Sequence, residues 1–354
     1  MSDPRSAFDV AAGTVYMDAA TYGLPPRATV EAIEAALAAW ASGTADWIGD
    51  WDRPAEEARA DFATLVSVPE ADVALLPTVS VGVGWVAQTL RPGDEVIVPA
   101  DEFTSTLFPF LVSERRGVVV REVGIAELAD AVGPRTTLVA TSLVQMQTGL
   151  RADLAAIREA TDRVGARLLL DATQALPFLV PGEELSNVDY VLAHGYKHLL
   201  CPRGATFMVV RTDRQDGLEP QSANWRAADE PYGRYFEGPL TLGPGARRFD
   251  VSLAWHSWVG ARVSLQLLRQ WQAAGALDEV WARARALARG AGLPGAESTL
   301  VCVPVGDPDG ARTALAEAGI RASVRGSAVR LSVHVWNTDE DAQLALAALA
   351  PFMP

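Results

Sequence analysis

Short apolar runs alternate with longer stretches of helical periodicity along most of this chain. The runs Val73 to Leu76, Glu95 to Pro99, Val118 to Val123, Thr137 to Thr141, Arg167 to Leu170, Val188 to Leu192 and Ala205 to Val210 have the length of buried strands. Between them, Val81 to Leu90, Phe103 to Arg115, Ile125 to Ala131 and Asp153 to Val164 repeat apolar residues at helical spacing. That alternation predicts an α/β layered domain with a largely parallel, mixed sheet flanked by helices. Upstream, Tyr16 to Ala20 reads as a short strand, and Ala28 to Trp40 and Arg53 to Val66 read as helices. The stretch Thr212 to Arg247 is rich in Gly, Pro, Arg and acids and reads as irregular connection. A long helix, Trp255 to Ala274, follows. Then come a strand Thr299 to Val305, a helix Gly310 to Ala318, a strand Ala328 to Val335 and a helix Asp339 to Leu349. The expected division is a large domain at 15–250 and a small C-terminal α+β domain at 251–354, joined by residues 1–14.

At 354 residues and 49% hydrophobic, the chain can bury the core such a division needs. A net charge of -14 argues against nucleic acid and anionic membrane as partners, since both demand a basic surface. No signal segment and no long uncharged apolar stretch is read, so the expected setting is cytoplasmic. Cys201 and Cys302 supply neither a disulfide framework nor metal-ligand spacing. His194 and His198 lie four apart without a third ligand, so no metal site is expected.

One lysine, Lys197, stands among 30 basic residues; the rest are arginine. Arginine can replace lysine as a solvated cation, but not as an amine that sheds its proton and forms a Schiff base. Lys197 follows a strand-like run, where α/β sheets carry their ligands. Asp171 ends the preceding run, and Gln174 lies three residues on in DATQ. An amine, a carboxylate and an amide on neighbouring strand ends suit pyridoxal 5'-phosphate. The amine bonds the aldehyde, the carboxylate keeps the pyridine nitrogen protonated, and the amide donates to the ring hydroxyl. Thr78, Val79 through its N–H, and Ser80 open a helix and could hold the phosphate or merely cap that helix. A rival reading is a Rossmann-type NAD(P) dehydrogenase, since Gly82, Gly84 and Ala87 fit G-x-G-x-x-A. The residues PTVSV separate that motif from the strand, which is too long for the tight dinucleotide turn.

The stretches YMDAATYGLPP, LLPTVSVGVG, VIVPADEF, TSLVQMQTGLRADL, LLLDATQALP, LAHGYKHLLCPRG, ARRFDVS and VRLSVHVWNT run in order from residue 16 to 337. Together they resemble the class V aminotransferase family of fold-type I pyridoxal phosphate enzymes, which includes cysteine desulfurases, kynureninases and isopenicillin N epimerase-like proteins. The resemblance implies Lys197 as the Schiff-base lysine, Asp171 on the pyridine nitrogen and Gln174 on the ring hydroxyl, with Gln145 near it. It implies Phe103 on the cofactor face, Thr78, Val79, Ser80 and Tyr196 at the phosphate, and Arg330 gripping a substrate α-carboxylate. His194 is read as a ring neighbour or proton carrier, or as an ordinary hydrogen-bonded histidine. His256, Tyr232 and Tyr235 are further acid–base candidates. The expected activity is Cα deprotonation of a small-molecule amino acid, followed by transamination, epimerisation or elimination. Ile320 to Val329, where desulfurases carry a nucleophilic cysteine, has none, so a persulfide-forming desulfurase is not expected. A homodimer with its site at the interface is expected from the resemblance.

Overall fold

The computed structural model describes residues 3–180, 183–233 and 235–354. Its central element is a seven-stranded sheet in the order Val73–Leu76, Thr206–Val210, Tyr190–His194, Arg167–Asp171, Thr136–Ser142, Glu95–Pro99, Val119–Val123. Thr206–Val210 runs antiparallel to both of its neighbours; the other pairings are parallel. The mixed, mainly parallel sheet expected from the alternation of strands and helices is therefore present. Strands such as Leu168 to Leu170 and Val96 to Val98 are apolar on both sides because helices cover both faces.

The helix Val79–Gln88 packs so tightly on this sheet that a Cβ on Gly82 would come within 2.4 Å of Leu192 and 2.9 Å of Leu76. That contact accounts for Gly82 without any dinucleotide. The strand expected at Val188 to Leu192 sits two residues later, at Tyr190–His194, so Lys197 lies just past its end. A helix at Ala276–Gly290 went unread, although its buried Leu277, Val280, Trp281, Ala284 and Leu287 have helical spacing. Gly275, at φ 78°, separates it from the helix Trp255–Ala273 and hides it from a reading that stops at the first break.

A three-stranded antiparallel sheet, Ser323–Arg325, Ala328–Ser332 and Leu300–Pro304, forms the C-terminal layer. Of the expected Tyr16 to Ala20 run only Tyr16 is strand; the observed strand, Val15–Tyr16, pairs in parallel with Ile320–Arg321. The N-terminal loop is thereby tied to the C-terminal layer. No helix among the described residues is long and apolar enough to cross a membrane.

Beside the large sheet lies a buried ionic cluster. Asp250 is 1% exposed and accepts from Leu75 N at 2.9 Å, Arg59 Nη2 at 2.5 Å and Arg226 Nη2 at 3.3 Å. Arg226 also pairs with Asp52 and Glu56. Truncating one member leaves buried guanidinium charge uncompensated, which costs far more than the pairing itself supplies. Asp250→Ala should therefore lower unfolding stability by about 3–5 kcal/mol, read as a shifted denaturant midpoint. A shift below about 1 kcal/mol, the value of a surface pair, would show that the cluster adds nothing.

Candidate functional site

The site gathers at the C-terminal ends of three adjacent parallel strands. Register places Ser142 beside Asp171, and Asp171 beside Leu192, while Lys197 follows in the turn after His194. Asp171 and Lys197 are 5% and 6% exposed, and each charge stabilises the other. Burial holds the Lys197 amine down at about 8, against the pull of Asp171, while the charges of Arg330, Arg203 and Arg325 lower it further. Burial likewise raises the Asp171 carboxyl above its usual range, opposed by Thr173, Lys197 and Thr106. Asp171 accepts from Thr173 N at 2.9 Å and from Thr106 Oγ1 at 3.4 Å. Among the described residues Lys197 Nζ has no hydrogen-bond partner. It lies 5.4 Å from the Phe103 ring centroid and 5.8 Å from that of Tyr196.

Several other expected residues converge here. Gln174 donates through Nε2 to Ala20 O at 3.0 Å and faces His198 with its oxygen. Thr78 has extended backbone and makes no cap bond to the helix it precedes; its hydroxyl instead lies 3.1 Å from that of Ser80. The plain capping reading therefore lacks its hydrogen bond, and two paired hydroxyls remain at a helix N-terminus, where an anion is favoured. Tyr196 packs edge-on to His194 at 5.0 Å and carries the Arg203 guanidinium 5.0 Å over its ring.

Three expectations change on this geometry. The Val79 N–H donates to His194 Nε2 at 3.3 Å, so it is already engaged. His194 Nδ1 meets Thr206 Oγ1 at 2.9 Å, and burial brings the imidazole down to about 4, helped by the charges of Lys197 and Arg203. With Nε2 accepting from Val79, Nδ1 facing Thr206 and the ring uncharged near neutral pH, His194 fits the hydrogen-bonded alternative and not the proton carrier. Gln145 is folded into its own loop. Its oxygen takes Gln147 N at 2.6 Å and Thr148 N at 2.8 Å, and its nitrogen gives to Asp101 O at 2.8 Å.

Arg330 is fully buried and bonds Met146 O at 3.0 Å, Thr21 Oγ1 at 2.8 Å and Asp18 Oδ1 at 3.2 Å. Its Nε has no hydrogen-bond partner among the described residues. His256, Tyr232 and Tyr235 belong elsewhere, in an aromatic cluster with Trp47, Trp51, Trp225 and Trp255. Tyr232 there donates to Asp52 at 2.7 Å. No group of metal-binding side chains forms among the described residues.

Glu102 was missed. Its carboxylate accepts from Ser142 N at 2.6 Å, Ser142 Oγ at 2.5 Å and Phe103 N at 2.7 Å. Burial raises it to about 7 in spite of the Ser142 bonds, and the charge of Asp171 adds to the shift. Glu102 thus clamps the Phe103 backbone to the strand that adjoins Asp171. In sequence it is only one acid in PADEF; no spacing rule links it to Ser142.

These groups fit pyridoxal 5'-phosphate: a buried amine with no hydrogen-bond partner among the described residues, a buried carboxylate whose charge couples to it, an aromatic ring beside it and two hydroxyls free of a capping duty. The comparisons agree. The family model described as Aminotransferase class-V matches residues 15–232. A probable cysteine desulfurase of Methanothermobacter thermautotrophicus is 30% identical, over 58% of this chain and 55% of that protein. The isopenicillin N epimerase of Streptomyces clavuligerus is 30% identical, over 54% and 50%. The matches to these two thus span about half of each relative's length. The uncharacterized aminotransferase YcbU of Bacillus subtilis is 26% identical over 83% of both chains. Among solved structures, the cystine C–S lyase C-DES with its product cysteine persulfide superposes with a TM-score of 0.84, at 24% identity, over 97% of this chain and 99% of that one.

The exclusion of a persulfide-forming desulfurase does not survive. Relatives from Methanothermobacter, Mycolicibacterium paratuberculosis and Aeropyrum pernix are all named probable cysteine desulfurases. The exclusion rested on linear position, because no cysteine lies in Ile320 to Val329. Strand pairing sets Cys302 directly opposite Arg330, with Sγ donating to Gln147 O at 3.1 Å, so a thiol does flank that arginine. With its family model matched over more than half its length, the chain belongs to the class-V aminotransferase family and is a pyridoxal 5'-phosphate enzyme.

Proposed function

We propose that this enzyme cleaves the carbon–sulfur bond of a sulfur-bearing amino acid, in the manner of the cysteine desulfurases and C–S lyases it resembles. The observation that carries the chemistry is the buried Lys197 amine, without a hydrogen-bond partner among the described residues and coupled to the charge of buried Asp171. The names of the relatives carry the choice of bond. On this reading Lys197 holds the cofactor through its amine and Asp171 pairs with the ring nitrogen. Thr78, Ser80 and Tyr196 hold the phosphate, Phe103 covers a ring face and Gln174 meets the ring hydroxyl. When bound, pyridoxal 5'-phosphate supplies an electron sink for the bond broken at Cα.

The chain's residues do the rest. Lys197, once released, is the base for the Cα proton, since it is held at the ring and burial brings its amine down to about 8. Arg330 orients the substrate carboxylate through its planar fork. Its buried Nε has no hydrogen-bond partner among the described residues, and Asp18 compensates the guanidinium charge before substrate arrives. We further propose a homodimer, a division near residue 250 and a cytoplasmic setting. Phe236, 86% exposed, and Leu240, 58% exposed, are apolar surface suited to a second copy, and both cysteines are free thiols.

Incubation of the holoenzyme with cysteine and with cystine tests the reading. Sulfide or persulfide should appear together with alanine or pyruvate, and peptide mass analysis should show whether Cys302 carries added sulfur. Turnover of non-sulfur amino acids alone would overturn it. Arg330→Lys should raise KM for the amino acid by about 10- to 100-fold, through loss of the bidentate fork, and leave cofactor affinity unchanged. An unchanged KM would remove Arg330 from the substrate site.

The lysine also sets a pH dependence. Its neutral form is the one that reacts, and burial extends that form down to about pH 8. The rate at which apoprotein takes up the cofactor should rise about tenfold per pH unit below this point and level off above it. A rise continuing beyond pH 10, as for a solvated amine, would contradict the burial effect. Lys197→Arg should abolish the covalent attachment at every pH.

A further inference from the structure

Next to Lys197 lies a buried histidine that the proposed chemistry leaves unused. His198 is fully buried, and its Nε2 lies 3.0 Å from Gln174 Oε1. Its ring stacks at 5.9 Å and 9° on His334, which stacks in turn at 4.4 Å and 10° on Trp336. His334 Nε2 meets the His198 carbonyl at 3.0 Å.

The protons in this chain of contacts follow from the donors at its ends. The Val335 N–H points at His334 Nδ1 at 2.9 Å, so that nitrogen is bare. His334 is then protonated on Nε2 and donates to the His198 carbonyl. Gln174 gives one amide hydrogen to Ala20 O, a group that can only accept, which fixes the amide's orientation and turns its oxygen toward His198. His198 must therefore carry its proton on Nε2 and donate to Gln174. Burial keeps both histidines neutral, with His334, Lys197 and Arg330 adding to the effect on His198. His198 Nδ1 has no partner among the described residues.

We propose that His198 is a positioning residue: by donating from Nε2 to Gln174 Oε1 it fixes the side-chain amide so that its one remaining N–H faces the cofactor's ring oxygen. Without that donor the oxygen end of Gln174 is unanchored, the amide is held by Ala20 O alone, and its second N–H is no longer kept in line with the ring oxygen. This inference rests on the proposed contact between Gln174 and the ring hydroxyl. It adds that the contact is imposed from the far side, through a histidine anchored by the Val333–Asn337 segment of the C-terminal layer, where Asn337 Oδ1 accepts from His334 N at 3.0 Å.

The test compares apoprotein affinity for pyridoxal 5'-phosphate with that for its 3-O-methyl ether, in which the phenolate is blocked. His198→Gln sets an amide nitrogen near the Nε2 position, and His198→Asn sets one near Nδ1; both are polar and of similar bulk. Thermal unfolding of each apoprotein reports folding independently. Wild type should prefer the parent cofactor by about tenfold. His198→Gln should keep that preference, while His198→Asn and Gln174→Ala should lose it. The double variant His198→Asn, Gln174→Ala should lose no more than either single one. A merely structural role predicts equal behaviour of the Gln and Asn variants, and that result overturns the proposal. If wild type itself shows no preference, the Gln174 contact fails and takes the His198 inference with it. If Gln174→Ala loses the preference but His198→Asn keeps it, only the His198 inference falls.

Discussion

Burying an amine and a carboxylate in one pocket is the constraint on which the molecule turns. Neither charge is tolerated alone in so dry a place, and each makes the other bearable. The outcome is a compromise: Lys197 is drawn down to about 8, while Asp171 is drawn up. A surface lysine would be protonated and inert at neutral pH. A fully salt-bridged one would be locked in its cationic form. Here the lysine has a counter-charge in its surroundings but, among the described residues, no hydrogen-bond partner at Nζ, which suits the reactive role proposed for it.

Holding that pair in place is the work of backbone register. Ser142, Asp171 and Leu192 stand level on three parallel strands, and the turn after His194 swings Lys197 over them. That turn is pinned on several sides. A Cβ on Gly23 would meet Lys197 O at 2.1 Å, so the N-terminal loop packs on the lysine's own carbonyl, and Gly23 N donates to Tyr196 O at 2.9 Å. His334 holds the neighbouring carbonyl from the C-terminal layer. Glu102 fixes Phe103 to the strand of Ser142. Loops from distant parts of the sequence thus converge on one residue, and the rigidity of the sheet is handed to the amine.

This arrangement explains which parts of the site were legible in one dimension. Lys197, Asp171 and Gln174 could be read because strand ends, motif spacing and a solitary amine are properties of local sequence. Thr78 and Ser80 were legible as a helix start, though only the geometry shows that the cap bond is unmade. Contacts between side chains far apart in the chain had no such signal. Nothing in PADEF points to Ser142. Nothing in VCVPV says that Cys302 will face Arg330, a juxtaposition that exists only through antiparallel pairing. The mistaken exclusion of desulfurase chemistry had that origin, since proximity was judged along the sequence and not across the sheet. The missed helix Ala276–Gly290 is different, because its apolar spacing was present and the break at Gly275 was taken for an end.

The arginine of the C-terminal layer faces a version of the lysine's problem. Arg330 is entirely buried, and burial works against its charge while Asp18 supports it. A guanidinium does not lose its proton under these conditions, so it must find anionic company. Asp18 supplies this from the N-terminal loop, which itself pairs with the C-terminal layer through Val15–Tyr16 and Ile320–Arg321. On the role proposed for Arg330, an incoming carboxylate would join a charge already compensated and would not rescue one that was stranded. Binding energy at such a site is smaller than for a bare buried cation, but the fork is oriented beforehand by Met146, Thr21 and Asp18. Affinity would then be exchanged for alignment, and alignment of the Cα proton toward Lys197 is what the proposed reaction requires.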